Sequence, residues 1–235
     1  MGILVSKTQP CNTNWIMKTL FIYCAGGFGK EVMDVARRVN ESVPQWDHIY
    51  FLDDVCKEDE KYGAKIFRLD AFPQGFDRSQ CEAVIASGEP VVREKLLARL
   101  ESAGIALGKV IDTTSIVSTT ASIDSGVVIT PFCSISSHAV LSRNSTVNTT
   151  SIIGHDVEIG ENTVVSSMVN LGGGCKVGRN SYIGMGALIR ERLTIGKDTI
   201  IGMGSVVVHD IPDGVIALGN PAKPIRPNID KKVFK

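Results

Sequence analysis

Four histidines, His48, His138, His155 and His209, are the imidazoles this 235-residue sequence offers for proton transfer near neutral pH. His155 stands in GHDVEIG, directly before Asp156, where a carboxylate can hold the ring or stabilise its protonated form. Such a pair is the equipment of a general base, although a surface His beside an Asp by itself usually does nothing. His48 opens a short apolar strand and His209 falls in a Pro-rich tail, so both are expected in bland surface roles. The same holds for His138, unless it lines a cleft near His155. The six cysteines (11, 24, 56, 81, 133 and 175) are scattered without a CxxC pair, which argues for a reducing compartment and against a zinc site. No Ser or Cys is placed as an activated nucleophile, since Cys175 has no adjoining His.

What positions His155 is a regular ruler. Every sixth residue from Val117 to Val207 is Val, Ile or Leu, and Gly follows at 154, 160, 172, 178, 184, 196 and 202. A period of six fits neither a helix face nor an alternating strand. It fits a coiled prism of very short strands, in which one aliphatic residue per hexad points inward and the small residue after it lets the chain turn a corner. Each coil buries its inward residue only by stacking on the next, and β-branched residues suit the short strands. His155, two residues past inward Ile153, is expected outside the core.

Residues 17–112 have a different grammar. A strand at Leu20–Tyr23 is followed by CAGGFGKEV and a helix over Glu31–Val39; strands at His48–Leu52 and Ala83–Ala86 end in Asp53-Asp54 and Ser87-Gly88. A helix over Val91–Ala103 and a strand at Val110–Ile111 then lead into the repeat. This order predicts a small parallel, Rossmann-like sheet that receives ligands at the carboxyl ends of its strands. In the fingerprint GxGxxG the first glycine is replaced by Cys24, while Gly26 and Gly29 remain and Asp53 lies near the position of the ribose-binding acid. The segment is half a dinucleotide fold, which suits one nucleotide with its phosphates at the turn and helix start. A tight turn that binds nothing is the plainer alternative.

The formal net charge is zero, which leaves no basic footprint for nucleic acid and no polybasic membrane patch. No apolar run approaches a spanning helix, and a cytoplasmic protein is expected. Residues 1–16 read as a loose, disordered leader whose Met1-Gly2 and Ser6 formally match a myristoylation pattern without basic support. The repeat domain covers 113–208, and residues 209–235, rich in Pro and Gly, are expected to form an irregular cap over the open end of the core.

Taken in order, YCAGGFGKEV, FLDD, SGEPVVR, VNTTSIIGHDVEIG and GNPAK resemble the hexapeptide-repeat acyltransferases, within the subgroup of UDP-4-amino-sugar N-acetyltransferases and sialic-acid O-acetyltransferases. The resemblance spans residues 17–225. It implies a left-handed parallel β-helix with three hexads per coil, a homotrimer, and acetyl-CoA bound between neighbouring subunits. The implied catalytic pair is His155 and Asp156. Eighteen residues on, Gly173 stacks beside His155, where a backbone N–H can serve as oxyanion donor. The acetyl-CoA contacts implied are Val164, Gly173, Met185, Met203, Ala222 and Lys223, with the methionines packing on the pantetheine arm and Lys223 near a phosphate. The nucleotide-sugar contacts implied are Gly26, Gly27, Phe28, Asp53, Asp54, Gly88 and Asn148, with Arg93 a further candidate. Cys24 and Phe28 depart from the usual Gly and His. The expected activity is transfer of acetyl from acetyl-CoA to the 4-amino group of a UDP-linked deoxysugar in bacterial surface-glycan synthesis. An O-acetyltransferase on the same scaffold and a non-catalytic, nucleotide-sensing trimer are the alternatives.

Overall fold

The computed structural model describes residues 18–234. The leader, with its myristoylation pattern, lies outside the described residues. The first domain is a six-stranded sheet in the order β3-β4-β2-β1-β5-β6, formed by β1 (Lys18–Tyr23), β2 (Trp46–Leu52), β3 (Glu60–Lys61), β4 (Ala64–Phe67), β5 (Cys81–Ile85) and β6 (Ala106–Leu107). All pairs are parallel except the hairpin β3–β4. Helix α1 (Gly27–Ser42) buries Val32, Val35, Ala36 and Val39, the stripe its spacing predicts, and α2 (Pro90–Ser102) opens on Pro90 in the first turn. The sheet is wider than expected by β3, β4 and β6, of which β3 and β6 are two residues long, too short to show a periodic signal.

From Val110 the chain winds into the left-handed prism. Strand partners are eighteen residues apart, as in Ile135↔Ile153 and Ile153↔Leu171. The first face carries Val128–Ile129, Thr146–Val147, Val164–Val165, Tyr182–Ile183 and Ile200–Ile201; the second carries strands from Ile116–Val117 to Val206–Val207; the third carries strands from Ser122–Ile123 to Thr194–Ile195. The inward residues form one continuous core from Ile129 to Val207. Val110–Ile111 pairs with Val128–Ile129, so it is the first strand of the prism and not the last of the sheet.

The corners are turned differently from expectation. The residue in the left-handed region is the third after each inward position, as in Asn144, Thr150, Asp156, Asn162, Met168 and Gly174, with φ of 54–71°. The glycines directly after the inward residue have ordinary φ. Their role is close stacking: a Cβ on Gly154 would lie 2.7 Å from Gly173 N, and one on Gly172 2.6 Å from Glu191 N.

The tail is also more regular than an irregular cap. Ile211 bridges to Ile195, and an antiparallel hairpin, Val215–Gly219 with Ala222–Pro227, extends the first face beyond Ile200–Ile201. Pro224 and Pro227 are tolerated because their strand is the edge, where missing N–H donors break no further ladder.

The two domains are clasped through Arg93. Its buried guanidinium donates to Ile85 O (2.6 Å), Ser87 O (3.1 Å) and Asn144 O (2.6 and 3.0 Å), and to Asn144 Oδ1 (2.8 Å). From Asn144 a side-chain ladder climbs one edge of the prism, through Asn162 (2.8 Å) and Asn180 (3.0 Å) to Glu94 on α2 (3.1 Å). Burial pushes the Arg93 pKa down to about 9, which leaves it cationic at neutral pH.

Candidate active site

The carboxyl ends of β1, β2 and β5 meet in one cleft. Gly26 and Gly27, at the start of α1, have open space where a side chain would stand, whereas a Cβ on Gly29 would strike Cys24 O at 2.0 Å. Thus Gly29 serves the tight packing of helix on turn, and Gly26 and Gly27 leave the helix N-terminus open to an anion. Cys24 sits at φ 88°, a conformation that suits the glycine it replaces. Burial, with Asp53 nearby, pushes its thiol up to about 12, so it is inert. Phe28 is half-buried against the core of the first domain.

The two aspartates part company, because consecutive residues leaving a strand point to opposite faces. Asp53 accepts from Ala25 N (2.8 Å), Cys56 N (2.8 Å) and Val55 N (3.0 Å), which ties the loop after β2 to the glycine turn. Burial opposes its charge, but these donors outweigh it and hold its carboxyl below the usual range. Asp54 lies on the other side, held by Tyr23 OH, Leu69 N (2.9 Å) and Arg99 (2.9 Å). Its carboxylate is therefore occupied in the packing behind the cleft, contrary to expectation. Arg93 is likewise spent on the domain clasp and cannot reach a ligand. Gly88 faces the ring of Phe234, a contact with no forewarning in the sequence beyond the apolar VF that ends a charged tail.

On the prism, His155 projects from a corner with its side chain 68% exposed, and its Nδ1 lies 2.7 Å from Asp156 Oδ2. A carboxylate only accepts, so Nδ1 carries the hydrogen of the neutral ring, and in that form Nε2 keeps its lone pair. Asp156 occupies the left-handed corner position, φ 58°, which short polar side chains tolerate. The ring lies across the next coil: an ideal Cβ on Gly173 would fall 2.4 Å from His155 Nε2. Gly174 N donates to His155 O at 2.8 Å, which fixes the stacking of the two coils. His138 is exposed in the preceding coil, while His48 stacks on Tyr50 and His209 is exposed in the cap.

Met185 and Met203 stack on each other, with Gly204 N donating to Met185 O, but along a different edge from His155. Twelve residues separate Gly173 from Met185, two hexads and not a full coil, so the expectation of one shared side is corrected. Asn148 falls on the first face, stacked between Thr130 and Ser166 beside that methionine edge, with a buried Oδ1 that has no partner. Val164, also on the first face, is 1% exposed and offers no surface to a ligand. Ala222 packs into the end of the core, and Lys223 is exposed in the hairpin. A groove of about 480 Å³ runs along the third face and contains none of these residues.

The first domain matches the PglD N-terminal domain family over residues 19–100, and the repeats match the bacterial transferase hexapeptide (six repeats) family over 156–191 and 174–209. The acetyltransferase domain of PglB from Neisseria gonorrhoeae FA1090 is 29% identical, with a TM-score of 0.82, 88% of this chain covered and 100% of that one. A variant of perosamine N-acetyltransferase from Caulobacter crescentus, in complex with CoA and GDP-perosamine, is 26% identical, with a TM-score of 0.78 and coverage of 88% and 96%. Comparison with curated proteins finds no match. WeeI from Acinetobacter baumannii AYE is 30% identical, with a TM-score of 0.80 over 89% of this chain and 100% of that one. With that likeness running through both domains, this chain belongs to the hexapeptide-repeat acyltransferases that carry a PglD-type N-terminal domain.

Proposed function

We propose that this enzyme transfers the acetyl group of acetyl-CoA to the 4-amino group of a nucleotide-linked, UDP-bearing amino-deoxysugar in bacterial surface-glycan synthesis. The observation that carries the reading is the His155–Asp156 pair laid across Gly173. Relatives support the substrate classes, since PglB is known with acetyl coenzyme A and perosamine N-acetyltransferase with CoA and GDP-perosamine.

The chemistry is direct acyl transfer. Asp156 fixes the tautomer, and His155 Nε2 takes a proton from the sugar amine as nitrogen attacks the thioester carbonyl. The Gly173 N–H steadies the oxyanion of the tetrahedral adduct. Collapse breaks the C–S bond, and the imidazolium returns its proton to the departing CoA thiolate. Gly26 and Gly27 hold the pyrophosphate at the α1 N-terminus, while Met185, Met203 and Lys223 hold the cofactor arm.

His155 stands on one edge of the prism, whereas Asn148 and the methionines stand on another. One chain cannot bring them together, but neighbouring copies of a homotrimer can. The exposed apolar side chains Phe132, Met168, Met185 and Met203 on the methionine edge, with Ile152 and Leu188 on the face between, favour burial against such a copy.

The test is release of free CoA thiol with a panel of nucleotide amino sugars and hydroxyl sugars. Turnover only with the amines supports the proposal, turnover only with hydroxyls makes the enzyme an O-acetyltransferase, and no turnover with nucleotide bound makes it a sensor. His155→Ala should lower kcat about 10²–10⁴-fold with both substrates still bound, and near-normal turnover would remove His155 from the chemistry.

A further inference from the structure

After the capping hairpin the chain turns back along the prism toward the first domain. Asn228 donates its backbone N–H to Gly214 O (2.8 Å) and its side-chain amide to Asp198 O (2.9 Å), and Lys231 pairs with Asp198 at 3.0 Å. At its end, Val233 N and Phe234 N donate to the two carboxylate oxygens of Glu89 at 2.9 and 2.7 Å. Glu89 stands at the N-cap of α2 without capping it, so its carboxylate serves the tail instead of the helix. The Phe234 ring comes to rest edge-on to Tyr182, at 5.8 Å and 81°, and 3.2 Å from where a Gly88 side chain would begin.

Packing alone does not account for this. Ordering the segment costs conformational entropy, yet Phe234, which it delivers, remains 58% exposed. Apolar surface is left open beside Gly88, which follows the carboxyl end of β5, and β5 pairs with β1 just ahead of Gly26 and Gly27.

We infer that Phe234 is a stacking platform for the nucleotide base, held by the Glu89 clasp, and so an affinity-determining residue for the nucleotide-sugar substrate. The inference rests on the reading that this cleft binds a nucleotide. Gly88 is required because any side chain would fill the slot between loop and ring. Tyr182 braces the ring from the prism, so the base is gripped by elements of both domains.

The experiment is calorimetric titration of UDP, GDP and dTDP into the full chain and its variants without acetyl-CoA. The wild type should bind at least one, Phe234→Ala should bind it about tenfold more weakly, the loss of one base–aromatic stack, and Phe234→Tyr should be close to wild type. Glu89→Ala, which frees the clasp, should weaken binding in the same direction. In steady state, KM for the nucleotide sugar should rise by the same factor, with kcat and the acetyl-CoA KM unchanged. Unchanged or tighter binding by Phe234→Ala overturns the inference while leaving the nucleotide reading intact. So does a loss confined to Glu89→Ala, because the clasp would then act on the Gly88 loop without the ring. Failure of the wild type to bind any of the three removes the nucleotide reading and the inference with it.

Discussion

Gly173→Ala separates the chemistry of the corner from its stability. Alanine keeps the backbone N–H, so the proposed oxyanion donor survives, and Gly173 does not sit in the left-handed region. The added Cβ would lie 2.4 Å from His155 Nε2 and 2.6 Å from its Cε1. Restoring ordinary contact requires the ring to retreat by about 1 Å, a misplacement that costs about 10² in rate. Because His155 is exposed, the ring can swing away with little loss of packing, and the thermal midpoint should move by less than about 3 °C. Gly172→Ala is the counterpart. Its Cβ would meet Glu191 N at 2.6 Å and Cα at 2.8 Å, backbone that cannot give way, so overpacking should cost about 1–3 kcal/mol. Thiol-release kinetics and thermal melts on both variants decide the matter, with His155→Ala/Gly173→Ala expected to be no worse than His155→Ala alone. A Gly173→Ala enzyme with kcat within about threefold of wild type would refute the placement of His155 as base. A fall in midpoint matching that of Gly172→Ala would show that the corner is merely structural.

Two further expectations concern the first domain. Cys24→Gly relieves a left-handed residue worth about 1–2 kcal/mol of strain but adds freedom to the unfolded chain, so a net gain of about 0.5–1 kcal/mol should appear as a midpoint raised by roughly 1–4 °C; no rise means Cys24 is unstrained. Asp53 has its folded pKa lowered, so its contribution to stability is present above the unfolded carboxylate range and is lost as pH falls through the folded value. Asp53→Asn should therefore destabilise at pH 7, with the gap to wild type closing below about pH 4; a gap constant with pH would contradict this.

The prism is legible in the sequence because its period is single and unbroken, and each inward residue it names from Ile129 to Val207 is one the core contains, with Val117 and Ile123 packed against it. The function of the glycines is not, since a missing Cβ can answer either a positive φ or a close neighbour. Only the folded chain reveals that Gly154 and Gly172 answer the neighbour, while corners are turned by residues as varied as Asn144, Thr150, Asp156 and Met168. Asp53 and Asp54 are indistinguishable as letters and are separated only by the two faces of a strand end. Arg93, in SGEPVVR just after a strand end, looks like a ligand until its donors are traced to three carbonyls and an amide. Phe234 lies too far along the chain from Gly88 for any local pattern to join them.

The register that locates His155 beside Gly173 also limits what one chain can do. Eighteen residues return the chain to the same edge, and six or twelve carry it to another. On that arithmetic Asn148 and Met185 lie on the edge next to that of His155, and backbone hydrogen bonds confirm the separation, with Gly174 N on His155 O along one edge and Gly186 N on Ser167 O along the other. A rigid prism cannot fold its edges together, because each face is a ladder of parallel strands over a filled core. If acetyl-CoA touches both the base and the methionines, the second edge must come from another copy. Catalysis should therefore depend on assembly: an inactive His155→Ala chain mixed with a chain disabled at Met185 and Met203 should regain activity in mixed assemblies, which would retain some sites with both edges intact.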